Sequence, residues 1–385
     1  MNNPFIVGRT AKGTALVDRE TELEKIKATL KSGDKLFLIG PRRYGKTSIL
    51  ETAAEQLNAA GAHILLYSVQ GYTSLDLLVR ALVTDAANFS GNLKHATESV
   101  KKFFTSLNPS VSLDPTSGSL SVSLGVKHHE MSEQSLLLID ALNSLERLAA
   151  SSKKKVGLVL DEFQYLLELG GSRIEGQLRA AVQSHARVGY VFAGSQTSLL
   201  TDMISNHARP FYRLGEPLFL QEIPRADFLS HLRAGFQLIK CQARDETFNH
   251  LLDLAEDVPY HVQLLARTCW DLVYRQGRNK LRTEDVDTAH GQLIKVFDPV
   301  FSSQWAALTA IQRKVLALVA QGVAQGLHSK QTLRKADVTA GAMHKALQAL
   351  ERQAILRAEN RAGESRHRFE DPLFKSWIVA STVSA

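Results

Sequence analysis

The sequence predicts an α/β chain: a parallel sheet covered by helices, then an all-helical stretch, then a small module of three helices and a β-hairpin. Three observations carry this. Short apolar runs alternate with helix-length amphipathic segments: LFLI at 36–39, HILLYSV at 63–69, VGLVL at 156–160 and VGYVFA at 188–193. Those runs are apolar at successive positions, as strands buried on both faces must be. After Leu220 the strand signal gives way to helical periodicity, and from about residue 304 the pattern changes again.

Each element has a local reason. Leu23, Ile26 and Leu30 fall at helical spacing over 19–31, with the Asp18 carboxylate as the expected cap and Gly33 as the stop. The strand at 36–39 runs into a loop from Gly40 to Thr47, then a helix over 46–60 that turns Ile49, Leu50, Ala53 and Leu57 inward. Further helices fit 74–89, 133–150 and about 173–185. In SVSLDPTSGSLSVSLGV, residues 110–126, apolar residues alternate with serine around a DPTSGS turn, which predicts an inserted β-hairpin. Its serine face reads as a solvated face, with a partner contact as the alternative. Beyond 220, Thr283 is an expected cap and Gly277 a break. Thr309 and Gln312 form a capping box, a short helix comes after Ser329, and Thr339 caps a helix to about Gln353. ILRAE and RHRFE around NRAGES then form a two-stranded wing, completing the order of a winged helix. These changes divide the chain into a core over 1–219, a helical segment over 220–297 and a winged-helix module over 298–385.

Composition excludes several classes. The chain has 385 residues, 44% hydrophobic and 22% charged, which is globular rather than disordered or collagenous. No apolar run approaches the roughly 20 residues that span a bilayer, and MNNPFIVGRT lacks the apolar core of a signal peptide, so no membrane role and a cytoplasmic location are expected. Cys241 and Cys269 form neither a disulfide framework nor a zinc motif and are expected core thiols. The net charge of +7 is uneven: residues 301–385 hold 12 Lys/Arg against 6 Asp/Glu, whereas the rest holds 34 against 33. The basic excess belongs to the C-terminal module.

The strongest chemical signal is GPRRYGKT, Gly40 to Thr47, which fits G-x-x-x-x-G-K-[ST] between a predicted strand and a predicted helix. Gly40 and Gly45 let the backbone curl so that its N–H groups face phosphates, and the next helix adds its positive end. Pro41, Arg42, Arg43, Tyr44 and Ser48 complete the candidate nucleotide loop; Lys46 would reach the β- and γ-phosphates and Thr47 would hold Mg2+. Hydrolysis needs more than a loop. In VGLVLDEFQ, Asp161 is the candidate second metal ligand and Glu162 the candidate general base. Ser195, after VGYVFAG, is the candidate sensor of the γ-phosphate, with Gln196 as the runner-up. Arg209 and Arg213, in ARPFYRLGEP, are candidates for an arginine donated to a neighbouring subunit's nucleotide, or for surface ion pairs.

These residues resemble the AAA+ branch of the P-loop NTPases, and specifically the STAND-like archaeal-type ATPases. The resemblance runs almost end to end: VDRETEL (17–23), GPRRYGKTS, LDEFQ (160–164), AGSQTSL (193–199), PFYR (210–213), VPYHVQLL (258–265) and DPLFKSWI (371–378). It implies a five-stranded parallel AAA+ core, a helical lid and a C-terminal winged helix, with ATP or ADP and Mg2+ as ligands. It also implies that Val17, Asp18 and Arg19 lie by the adenine, and that Arg213 takes the place of the arginine in the family's PxYGR pattern, here without its glycine. Pro259 and His261 occupy the place of a lid arginine, where His261 could read the nucleotide or be a satisfied core histidine.

The implied function is an ATP-hydrolysing switch that assembles into a homo-oligomer or changes conformation with nucleotide state, working with a separate effector. Lys345, on the third helix of the C-terminal module, and Arg357, Arg361, Arg366 and Arg368, in the wing, are candidate duplex DNA contacts. The alternative is a DNA-binding regulator whose nucleotide site is slow or structural, and a winged helix can equally serve as an internal brake.

Overall fold

In a computed structural model, residues 2–13, 16–91, 109–113, 120–124, 131–171, 173–361 and 364–383 are described. The chain divides into two compact units: Thr10–Gln221, and Met1–Arg9 together with Glu222–Ala385.

The first unit is built on a five-stranded sheet of β1 (Lys35–Ile39), β2 (His63–Ser68), β5 (Val156–Asp161), β6 (Val188–Gly194) and β7 (Glu216–Phe219), in the order β2-β5-β6-β1-β7. Every pairing is parallel. β5 and β6 are buried at every position, which is why their sequences read as unbroken apolar runs. β7 is the exception: a partly exposed edge strand containing Pro217, a residue tolerated where one side of a strand has no ladder to make. Its sequence, EPLF, has no strand signature, and it is the strand that periodicity alone does not identify.

The predicted helices of this unit are present at Glu20–Ser32, Lys46–Ala59, Leu75–Gly91, Met131–Ser151 and Ile174–Ser184. One cap differs from expectation. Arg19, not Asp18, holds the N-cap position of the first helix, and its N–H is met by Glu20 Oε2 at 3.1 Å, while Asp18 takes φ 46. Two short helices that the pattern does not single out, Tyr165–Gly170 and Thr197–Ser205, come directly after β5 and β6. The expected hairpin is present as β3 (Pro109–Leu113) paired antiparallel with β4 (Leu120–Leu124). Its turn at 114–119, residues 125–126 and the side chains of both faces lie outside the described residues. Phe37, Phe163, Phe192 and Phe211, all fully buried, pack with ring centroids 4.8 to 5.9 Å apart. This aromatic cluster underlies the carboxyl ends of β1, β5 and β6.

The second unit is helical up to Ala306, with Arg225–Gln237, Asp245–Leu254, Pro259–Arg275 and Thr283–Ala306. Thr283 is the first residue of its helix rather than the cap; the Arg282 N–H at the cap is met by Asp285 Oδ2 at 2.9 Å. This helix runs unbroken through residues 297 and 298, so the boundary expected there falls inside an element. Helices Ala310–Ala320, Lys330–Ala336 and Ala340–Arg352 come next, capped by Thr309, Ser329 and Thr339 through their side-chain oxygens. The antiparallel pair β8 (Leu356–Arg361) and β9 (Glu364–Phe369) precedes a final helix at Pro372–Val383. That last helix packs Phe374 and Trp377 against Phe301 of the long helix, with ring centroids 5.3 and 6.2 Å away. Phe5, from the amino-terminal segment, is fully buried in this unit, 5.5 Å from the Phe236 ring. Cys241 and Cys269 are both buried here, as core thiols.

Candidate functional site

The adjacency of β5, β6 and β1 in the sheet brings three strand ends side by side: Asp161 at the end of β5, Ser195 just past β6 and Gly40 just past β1. Ligands of open parallel sheets bind at this carboxyl edge, where strand order reverses. Gly40 N–H bridges to Gly194 O at 3.4 Å, tying the loop to the neighbouring strand.

The loop is shaped by its sequence. Gly45 sits at φ 90 immediately before the helix Lys46–Ala59, a left-handed conformation that a side chain would strain. Lys46 is buried, and its ammonium donates to Gly40 O and Pro41 O, both at 2.8 Å. Neutral carbonyls are weak partners for a buried cation, so the arrangement suits exchange for phosphate oxygens. Thr47 Oγ1 donates to Asp161 Oδ2 at 2.7 Å. Asp161 is 2% exposed, and burial pushes its carboxyl up while the Thr47 bond and the Lys46 charge pull it down. A buried carboxylate beside a hydroxyl is a hard oxygen pair, and the two residues fit a small divalent cation such as Mg2+.

Glu162 is next at φ 51, an uncommon conformation for a non-glycine residue. It is enforced on both sides: Glu162 N–H donates to Asp161 Oδ1 at 2.9 Å, and Phe163 N–H donates to Ala193 O at 2.8 Å while its ring lies in the aromatic cluster. Ser195 Oγ donates to Glu162 Oε2 at 2.7 Å. A further residue joins them. Gln164 Nε2 also donates to Glu162 Oε2, a contact the motif LDEFQ contains but spacing alone does not announce.

Around this centre, Arg42 reaches Tyr165 Oη at 3.3 Å, Arg43 is exposed at φ 66 and Tyr44 is buried. Ser48 accepts the Ala11 N–H at 3.0 Å, so its hydroxyl fastens the amino-terminal segment of the unit to the helix. Val17 is half-buried and Asp18 exposed, whereas Arg19 is 2% exposed and bound to Glu22 at 3.0 Å and to Gln221 O at 2.8 Å. Burial lowers the Arg19 guanidinium from its ordinary value.

A family model described as an ATPase domain predominantly from Archaea matches residues 16–265. The chain belongs to this ATPase family. Solved structures agree in fold. The chain is similar to the Walker-type ATPase PABY2304 of Pyrococcus abyssi, with a TM-score of 0.65 and 15% identity, covering 97% of this chain and 99% of that one. It is also similar to the Aeropyrum pernix ORC2 protein in ADPNP–ADP complexes, with a TM-score of 0.56 and 14% identity over 100% of this chain and 98% of that one. The Aeropyrum pernix ORC1 protein in complex with DNA gives 0.50 and 14% over 95% and 93%. No curated protein matches the chain. Among the described residues of this ATPase no helix is long and apolar enough to cross a membrane.

Other expected site residues of the ATPase are distributed unevenly. Arg209 is committed within the first unit: Nε and Nη2 bind the two oxygens of Glu175 at 3.2 and 2.8 Å, and Nη1 binds Asp202 at 2.9 Å. Arg213 is exposed at φ 53 with its guanidinium 5.1 Å from the Tyr212 ring centroid. Pro259 and His261 belong to the second unit: Pro259 opens its helix, and His261 is buried with Nε2 3.5 Å from Asp371 Oδ1. Among the described residues the Nδ1 atom of His261 is buried with no hydrogen-bond partner, so the ring is only partly satisfied within its own unit.

The wing requires a correction. Arg357 is buried, bound to Glu359 at 2.9 Å and Glu370 at 3.4 Å. Arg368 binds Glu222 at 2.9 Å and Glu256 and Glu359 at 3.5 Å. These two cations are held by carboxylates of their own unit rather than presented to DNA. Lys345 and Arg366 are exposed, and the Arg361 side chain lies outside the described residues.

Proposed function

We propose that this ATPase binds ATP with Mg2+ on the loop Gly40–Thr47, hydrolyses it, and passes the nucleotide state on as a change of conformation or assembly. The reading rests above all on one observation: the bond from Thr47 to Asp161 at 2.7 Å sits beside a second carboxylate, Glu162, held by Ser195 at 2.7 Å. Loop, strand-end acid and candidate base are thus contiguous across three adjacent strands.

In this reading Lys46 leaves the Gly40 and Pro41 carbonyls for the β- and γ-phosphates, gaining charge-assisted bonds. Thr47 and Asp161 would hold Mg2+, which supplies neutralisation of phosphate charge when bound. Glu162 accepts the proton of the attacking water as its oxygen bonds the γ-phosphorus; the bond from phosphorus to the β,γ-bridging oxygen breaks and ADP leaves with the electron pair. Ser195, on the Glu162 carboxylate, couples the γ-phosphate position to the base. Arg213, exposed where Arg209 is paired, is the arginine suited to complete a neighbouring subunit's site in a homo-oligomer, with the effector supplied by a separate protein.

The test is a pair of variants. Lys46→Ala should weaken nucleotide binding at least about ten- to hundredfold, and Glu162→Gln should bind ATP but turn it over on the order of a hundredfold or more slower, the usual scale for a lost general base. Unchanged turnover in both would overturn the reading.

A second activity is favoured by the exposed cations Lys330, Arg334, Lys335, Lys345 and Arg366 of the C-terminal module. We propose that this surface meets the phosphates of duplex DNA. A salt-steepened affinity that survives in Glu162→Gln would support it, and no binding at low salt would reject it.

A further inference from the structure

Gln164 is 2% exposed, a costly place for a polar residue unless its amide is used. Its Nε2 donates to Glu162 Oε2 and lies 3.5 Å from Ser195 Oγ, which donates to the same carboxylate oxygen at 2.7 Å. Among the described residues both bonds converge on Oε2, which leaves Oε1 as the oxygen able to take a proton.

The other end of the amide shows why the orientation is fixed. Gln164 Oε1 is buried without a hydrogen-bond partner. It lodges against Gly194, where an added Cβ would overlap it and would also come within 2.6 Å of Leu200 Cδ1. Turning the amide over would press its carbonyl oxygen against the Glu162 carboxylate and put the NH2 group into that notch. Both are unfavourable, so the nitrogen is held toward Glu162. Core packing alone would not retain this arrangement, because leucine or methionine would fill the same space without stranding a buried oxygen.

We propose that Gln164 is a positioning residue: with Ser195 it clamps Oε2 of Glu162 so that Oε1 faces the attacking water, and Gly194 is small to make room for its amide. The inference rests on Glu162 being the general base, and it makes LDEFQ and AGS one device rather than two motifs.

The experiment is steady-state hydrolysis with calorimetric ATP affinity on the full chain. Gln164→Met, close in shape but without a donor, should lower kcat roughly tenfold to a hundredfold, the worth of one bond to a charged group, with Kd for ATP unchanged. Gly194→Ala should do the same by displacing the amide. In Gln164→Ala the amide is gone, so adding Gly194→Ala should cost kcat no more than the remaining contact with Leu200 Cδ1 does, well short of a multiplied loss. Wild-type kcat in Gln164→Met, a loss carried by Kd instead of kcat, or effects of Gln164→Ala and Gly194→Ala that multiply in the double variant would each overturn the proposal. If Gly194→Ala fails to fold, Gln164→Met decides alone. Turnover retained in Glu162→Gln would overturn the base assignment itself; an inactive Glu162→Gln beside a fully active Gln164→Met would overturn only the role of Gln164.

Discussion

The strand-end cluster and the C-terminal hairpin use the same residue types toward opposite ends. At the strand ends, Lys46 rests on two neutral carbonyls, and Asp161 is buried with a hydroxyl for company. In the hairpin, Arg357 and Arg368 are matched to the carboxylates of Glu222, Glu256, Glu359 and Glu370. Mismatch of type in the first place, a cation on carbonyls and an acid on a hydroxyl, suits exchange of those partners for a ligand. Match in the second uses charge to hold the unit together. A count of lysines and arginines cannot separate the two; the identity of their partners can.

The largest expected effect tests the matched side. Arg357→Ala would remove a buried guanidinium from between Glu359 and Glu370, leaving Glu359 the longer contact to Arg368 at 3.5 Å, and should destabilise the second unit by about 3–5 kcal/mol in denaturant unfolding, as breaking buried pairs does. Loss of DNA affinity with no loss of stability would break the comparison. On the mismatched side, Lys46→Ala should weaken ATP binding by about 1.5–3 kcal/mol or more, at least a ten- to hundredfold rise in Kd, while ligand-free stability stays within about 1 kcal/mol. A large destabilisation of the free protein would show that Lys46 is structural after all. Among exposed cations, Lys345→Glu and Arg366→Glu should each flatten the salt dependence of duplex binding by roughly one phosphate contact, read as the slope of log affinity against log salt.

The smallest effect concerns a buried neutral group. His185 Nδ1 faces Tyr190 Oη at 2.6 Å and Nε2 faces Asn143 Oδ1 at 3.0 Å, with Lys35 and Glu146 nearby. Burial lowers its pKa from the ordinary 6.5. Between that value and the lower folded one the unfolded chain holds the extra proton, so stability is full above 6.5 and declines as pH falls. The slope should be at most about 1.4 kcal/mol per pH unit, and His185→Gln should remove it from the pH profile of unfolding.

Legibility from sequence tracked burial. Strands β5 and β6 announce themselves because nearly every residue is apolar, and Thr309, Ser329 and Thr339 announce their helices because a cap is a local contact. The edge strand EPLF carries a proline and exposed positions, and so leaves no pattern. Asp18 and Thr283 are good capping residues one position off the actual caps, because Glu20 and Asp285 meet those backbone groups from inside the helix instead. At the site, Lys46, Thr47, Asp161 and Ser195 are legible from spacing against the strands. The role of Gln164 is not, because its serine neighbour and its glycine notch lie on another strand. For a similar reason Arg357 and Arg368 read as part of a basic wing: several of their carboxylate partners are remote in the chain.

The helix Thr283–Ala306 has a consequence for mechanics. At about 1.5 Å per residue its 24 residues make a beam of roughly 36 Å. It packs beside Pro259–Arg275, and its later turns meet the final helix through Phe301, Phe374 and Trp377. Pro299 lies between those two contacts, and because its ring removes one N–H from the helical ladder it is the point at which this element bends. The helices after Glu222 and the final helix are therefore joined along a single element whose flexible point is fixed in the sequence at Pro299.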